Sequence, residues 1–248
     1  MKPTFLTYEK PTLAVLFKAK TPEEAIDIAH RAISEGAEGF CFQTCQLLPE
    51  YHNADNFRKI FAEMGGLPIY VTNYRGGVNE NRSDEVIAEG LIELANSGAT
   101  LCDVMGDMFD RQPGEMTMDP TAIEKQKELI DRLHKAGAEV LMSAHVKEYT
   151  PAERVLEIAL AQQSRGADIV KIVTHASNVD EELENLRITS LLKKELNVPF
   201  LYLSGGECRL HRRIGPMLGC CMYLCSMDSA ALQPQLWKAK AVRDSYDW

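Results

Sequence analysis

Short apolar runs alternate with amphipathic helical stretches from one end of this chain to the other. The runs predict strands at Leu13–Phe17, Gly39–Gln43, Pro68–Thr72, Thr100–Val104, Ala138–Ser143, Asp168–Val173, Pro199–Leu203 and Cys220–Cys225. Between them, apolar positions at helical spacing predict helices at Pro22–Ser34, Asp55–Glu63, Ser83–Ser97, Pro120–Ala136, Pro151–Arg165 and Val179–Glu195. A shorter helix is expected near Cys208–Gly215 and a last one from Leu232 to Arg243. Thr21-Pro22-Glu23-Glu24 and Thr150-Pro151-Ala152-Glu153 each read as a hydroxyl N-cap, a proline at the first helical position and a capping-box glutamate. Gly36, Gly137 and Gly166 follow helical runs as C-terminal stops.

Strands alternating with helices over short connections mean a parallel sheet. Eight such units are the number that closes a single (β/α)8 TIM barrel, and 248 residues is a usual length for one. A doubly wound open sheet is the alternative, but it supplies no reason for the count of eight. No linker or low-complexity tract interrupts the series, so one domain spanning residues 1–248 is expected. Barrel enzymes place their chemistry at the C-terminal ends of the strands. That rule selects Gln43 and Cys45, Thr72 to Arg75, Asp103 to Asp107, His145, Lys171 to His175, and Ser204-Gly205-Gly206.

Composition narrows the picture further. The content of 45% hydrophobic and 25% charged residues is ordinary for a globular chain. A net charge of −9 without clustered basic residues argues against nucleic acid as a partner. The first apolar run is too short for a membrane span, and no secretory leader pattern precedes it. The seven cysteines, an odd number without a CxxC pair, are expected as reduced thiols of a cytoplasmic protein rather than metal ligands.

Lys171 stands out because it lies in a strand with β-branched neighbours on both sides, Asp168-Ile169-Val170-Lys171-Ile172-Val173. Desolvation disfavours an ammonium, so a lysine buried among apolar groups is expected to have its pKa lowered. A neutral amine is a nucleophile toward carbonyl carbon, which gives a Schiff base. The preceding strand pattern ends at His145, a proton carrier near neutrality. Together the two residues outline an imine-forming lyase. Ser204-Gly205-Gly206 reads either as an anion cradle or as a plain turn. Arg209, Arg212 and Arg213 follow it, either as a solvated basic face or with one reaching a substrate carboxylate. His175 is expected in a loop.

These motifs resemble the type I 3-dehydroquinate dehydratases. Met142-Ser143-Ala144-His145 with Thr150-Pro151 is similar to the family's fifth-strand motif, and Ala167-Asp168-Ile169-Val170-Lys171-Ile172 to its sixth-strand motif. His211-Arg212 with Gly215 and Gly219 resembles the arginine motif, and Ser229-Ala230-Ala231-Leu232-Gln233 the closing loop. The resemblance implies Lys171 as the imine lysine, His145 as the acid–base, Arg212 on the substrate carboxylate, and Ser229 and Gln233 on the lid. In the front half, Cys41, Gln43 and Cys45 stand where the family has Glu-x-Arg-x-Asp. Arg75 matches an arginine after the third strand, but the glutamate that orients the family's histidine has no counterpart there. Met105 replaces an acid on the fourth strand. Arg75 and Gln43 are the candidate substrate contacts from this half.

The reaction implied is loss of water from 3-dehydroquinate to give 3-dehydroshikimate. It involves a small carboxylated keto-polyol and needs no metal or organic cofactor, because the lysine supplies the electron sink. Barrels of this family are commonly dimers, which leaves a homodimer open. The missing polyol contacts suit a class I aldolase or another imine-forming lyase acting on a less hydroxylated keto acid. The missing histidine-orienting acid suits a barrel that binds a polyol acid without turning it over.

Overall fold

The computed structural model describes residues 3–7, 9–207, 209–228 and 232–247. Eight parallel strands, each followed by a helix, form one sheet: β1 (Thr12–Phe17), β2 (Gly39–Gln43), β3 (Ile69–Thr72), β4 (Leu101–Met105), β5 (Glu139–His145), β6 (Ile169–Ala176), β7 (Phe200–Gly206) and β8 (Met222–Cys225). The helices are α1 (Pro22–Ser34), α2 (Ala54–Ala62), α3 (Asp84–Asn96), α4 (Pro120–Lys135), α5 (Ala152–Ser164), α6 (Val179–Glu195), α7 (Arg209–Ile214) and α8 (Leu236–Asp244). The strand order 7-6-5-4-3-2-1-8 brings β8 back beside β1, as in a closed (β/α)8 barrel. β7 and β8 do not form a continuous ladder. At their base the Cys221 N–H donates to the Phe200 carbonyl at 2.9 Å, so the seam is nearly closed.

Period-two alternation sorts the side chains between the barrel lumen and the helical shell. On β3, Val71 packs outward while Tyr70 points to the lumen; on β4, Cys102 and Val104 pack outward while Asp103 points in. Below the lumen Phe5 is fully buried, with its ring edge-on to Tyr70 at 6.5 Å. This residue shuts the N-terminal end of the barrel, the end associated with stability rather than chemistry. At the other side of the ring, Arg243 of α8 ion-pairs with Glu38 and donates to the Pro11 carbonyl at 3.1 Å, tying the last helix to the first strand. No helix among the described residues is long and apolar enough to cross a membrane.

The expected helix ends hold in part. Thr21 caps α1, with its Oγ1 accepting from the Glu24 N–H at 3.2 Å. Glu24 reaches back one residue further than a capping box, to the Lys20 N–H at 2.6 Å. Thr150 is not a cap: Pro151 occupies that position in α5, and the Thr150 hydroxyl donates to the Glu148 carbonyl instead. Gly36, Gly137 and Gly166 have positive φ, as the αL stop of a helix requires. Ser204, Gly205 and Gly206 do not form a turn. They extend β7 and pair with Thr174, His175 and Ala176, so β6 also runs past its expected end and His175 is a strand residue.

A buried polar knot joins α6 to β7 and α7. Asn185 bonds the Tyr202 and Ser204 hydroxyls, and Thr189 Oγ1 lies 3.0 Å from His211 Nε2. Burial first, then the neighbouring Arg212, lowers the pKa of His211 to about 3. Between about pH 3 and 6.5 the unfolded chain therefore binds a proton that the folded chain refuses, and stability falls as pH falls through that window. Moving from pH 7.5 to 4.5 is expected to remove about 2–3 kcal/mol through this residue alone. Urea unfolding at both pH values checks it, with His211→Gln losing correspondingly less on acidification than the parent.

Candidate active site

Lys171 is buried at the middle of β6, 5% exposed. Its main chain is clamped from outside the sheet, because the Gln162 carboxamide of α5 accepts from its N–H and donates to its carbonyl, both at 3.1 Å. Replacing Gln162 with leucine orphans two buried backbone groups at about 1–3 kcal/mol each. A loss of about 2–4 kcal/mol in urea unfolding is expected.

The side chain crosses the lumen to strands that are not its neighbours. Nζ donates to the Tyr70 and Tyr74 hydroxyls, both at 3.0 Å, and to Asp103 Oδ2 at 3.3 Å. Both phenols donate in turn to Asp103 Oδ2, Tyr74 at 2.5 Å. Ser143 donates to Oδ1 at 2.5 Å. Burial, then the Asp103 carboxylate, pushes both phenols well above their ordinary range, so they stay protonated. The apolar shell expected around Lys171 is therefore replaced by an ion pair with Asp103 and two phenols. Strand periodicity could not show this, because the partners come from β3, from the turn after it, and from β4.

His145 ends β5 beside this cluster. Tyr74 stands between them, its ring edge-on to the imidazole at 5.6 Å. His145 Nδ1 lies 2.5 Å from Glu115 Oε2. An ionised carboxylate only accepts, so Nδ1 carries the shared proton, and in the neutral ring Nε2 is then the acceptor. Glu115 supplies the histidine-orienting acid that the sequence lacks after β3. It comes from the long segment between β4 and α4, where Gln112-Pro113-Gly114-Glu115 forms a turn with Gly114 at φ 76° and the Glu115 N–H on the Gln112 carbonyl. Glu115 itself sits at φ 54°, a conformation that non-glycine residues adopt rarely.

That segment is pinned at both ends. Arg165 donates to the Gly106 carbonyl at 3.0 Å, to the Thr117 carbonyl at 2.5 Å and to Gln126 Oε1 at 2.8 Å. Gln126 donates to the Gly106 and Met108 carbonyls. A long loop on the catalytic face that carries an acid after Pro-Gly was a readable signal for Glu115.

A cavity of about 1020 Å³ opens over this loop, lined by Tyr74, Met105, Glu115, Met116 and His145, with Arg75, Arg111, Lys147 and Arg154 as its cations. Lys171 lies behind Tyr74 and does not line the cavity. Arg75 does, but it is committed: it forks onto Asp84 at 2.9 and 2.6 Å and reaches Asp107 at 2.8 Å. These ion pairs brace the rim of the cavity. Arg212 is buried, with Nε donating to the Ser204 carbonyl at 2.5 Å, and it is not part of the cavity lining. Gln43 at the end of β2 and Gln233 before α8 are half-buried and also outside that lining. Ser229 lies outside the described residues. Among the described residues no cluster of three or more His, Cys, Asp or Glu is placed to hold a metal.

A 3-dehydroquinate dehydratase of Alkaliphilus oremlandii is 33% identical over 81 residues, 32% of this chain and 32% of that protein. One from Lactiplantibacillus plantarum is 24% identical over 140 residues, 55% of this chain and 54% of that protein. The chain thus spans about a third and about half the length of these curated relatives. The crystal structure of a type I 3-dehydroquinate dehydratase from Clostridium difficile, covalently modified by comenic acid, superposes with a TM-score of 0.82 at 19% identity. That match covers 96% of this chain and 92% of the other, and it shows the shared barrel. The model of the type I 3-dehydroquinase family matches residues 86–248, more than half of the sequence, and the chain belongs to that family.

Proposed function

We propose that this protein is an imine-forming hydro-lyase that removes water from 3-dehydroquinate to give 3-dehydroshikimate. The observation that carries the reading is the juxtaposition of Lys171, held by Tyr70, Tyr74 and Asp103, with a His145–Glu115 pair at the C-terminal ends of the strands. Family membership and the activity named for the two curated relatives support it.

In this mechanism Lys171 adds to the ring ketone and water leaves, giving an iminium. The iminium acidifies the adjacent C–H, because the electron pair released is delocalised as an enamine. His145 Nε2 takes that proton while Glu115 stabilises the imidazolium through Nδ1–H. The imidazolium then protonates the departing hydroxyl, and hydrolysis frees the lysine. Arg212 is the proposed carboxylate anchor, its guanidinium oriented by the bond to Ser204, with Gln233 and Ser229 on the closing loop. A cytoplasmic location is part of the proposal, and six free, buried cysteines among the described residues suit a reducing compartment.

A second reading is an imine-forming lyase on a less hydroxylated keto acid. It is favoured by the apolar Met105 and Met116 in the cavity wall and by the engagement of Arg75 with Asp84 and Asp107. Turnover of 3-dehydroquinate, followed by ultraviolet absorbance of the enone product and set beside smaller keto acids, decides between them. Absence of the enone at any enzyme concentration refutes the dehydratase. Calorimetric binding without turnover would instead mark a sensor.

A further inference from the structure

Two separate proton systems flank Lys171. One is His145 with Glu115; the other is Asp103 with the Tyr70, Tyr74 and Ser143 hydroxyls. Among the described residues, His145 makes no hydrogen bond to Lys171, whereas Asp103 Oδ2 lies 3.3 Å from Nζ and shares both of its phenol partners. An ammonium has three donors, and Tyr70, Tyr74 and Asp103 occupy all three, so one must be released before the nitrogen can attack. Tyr74 is the partner that also lines the cavity, and so it stands where an incoming carbonyl must approach.

We infer that Asp103, working through the Tyr74 hydroxyl, handles the protons of imine formation, leaving His145 and Glu115 to the carbon acid. The inference rests on the imine chemistry proposed above. Asp103 accepts a proton from the Lys171 ammonium, giving a neutral amine and a carboxylic acid. The nitrogen lone pair forms the C–N bond, and the carbonyl π electrons move to oxygen. A proton passes from nitrogen to that oxygen, giving a carbinolamine. Asp103 then returns its proton to Tyr74, whose own hydroxyl proton goes to the carbinolamine oxygen; the C–O bond breaks and water leaves. The iminium and the Asp103 carboxylate remain, so no oxidant or further reactant is needed.

The phenols suit a relay because they remain protonated and can donate while accepting. Cys41 is the other titratable group facing Lys171 and Asp103, and burial raises its thiol so that it too stays neutral. Asp103, Tyr70, Cys41 and Lys171 come from four strands, Tyr74 from the turn after β3, and Glu115 and His145 face the same phenol ring from the other side.

The test separates imine formation from turnover. Full-length protein is mixed rapidly with 3-dehydroquinate or pyruvate, quenched with borohydride at set times, and the adduct on Lys171 is quantified by peptide mass across pH 5–9. Tyr74→Phe and Asp103→Asn are expected to slow trapping by about 10²-fold at an unchanged trapped end point. Asp103→Asn should also flatten the pH profile of the trapping rate, and Asp103→Glu should restore part of both, an effect a merely structural carboxylate would not produce. If the parent is trapped and a folded Tyr74→Phe or Asp103→Asn variant is trapped at the parental rate and pH profile, the inference is overturned. If the parent is never trapped by either carbonyl compound, the imine reading itself fails. Should Tyr74→Phe not fold, the Asn and Glu pair at Asp103 decides alone.

Discussion

Lys171→Ala is expected to lower turnover by at least about 10⁴-fold, the scale seen when a covalent nucleophile is removed. No borohydride-stable adduct should form on the variant. The loss has two physical components, and a second measurement separates them. The amine is the electron sink, so without it the carbanion has no delocalised form. The ammonium is also the counter-charge of Asp103, and removing one partner of a buried pair costs about 3–5 kcal/mol. Here Tyr70, Tyr74 and Ser143 still donate to the carboxylate, so the expected stability loss is at the lower end of that range or below. Urea unfolding alongside the kinetics should find a folded but inactive protein. Lys171→Met, which fills the same volume, should be equally inactive, and retention of turnover in either variant would sink the lysine's role.

The second large effect is expected at Glu115. Glu115→Gln should cut dehydration by about 10²-fold or more, within the 10²–10⁴ that acid–base catalysis contributes. The amide can accept one hydrogen bond from Nδ1 but carries no charge to offset an imidazolium, and it can flip to favour the wrong tautomer. Imine formation does not pass through this pair in the scheme above, so the adduct on Lys171 should still form in the variant and accumulate undehydrated. That split between trapping and turnover is the diagnostic. Equal loss of both would mean that Glu115 supports the loop and not the proton transfer. Because Arg165 and Gln126 pin the segment at Gly106 and Thr117, independently of the Glu115 side chain, the loop is expected to keep its course.

Much of this arrangement was legible in order along the chain. Apolar runs and helical stripes located all eight strands and helices to within a few residues, and the rule that barrel chemistry sits at strand ends selected Lys171, His145, Tyr74 and Asp103. The sequence signals are periodicities of 2 and 3.6 and local turn chemistry, which act between neighbours and can therefore be read without the fold. Thr150 shows the limit even locally: Thr21 and Thr150 each open the same Thr-Pro-x-Glu pattern, yet only Thr21 caps its helix.

The site was legible only as a set of candidates. Arg75 follows β3 where a substrate arginine is expected, but Asp84 and Asp107, from α3 and the loop after β4, neutralise it at the rim. Glu115 was overlooked because its partner is 30 positions away and its aim depends on a Pro-Gly turn and a strained backbone. By itself the sequence determined a barrel with a lysine buried in its sixth strand and a histidine ending its fifth. Only the tertiary structure decided that the lysine is an ion pair wrapped in phenols and that the histidine has its acid. Closing the strands into a ring puts β3, β4 and β6 across one lumen, and hydrogen bonds formed across that space have no period along the chain.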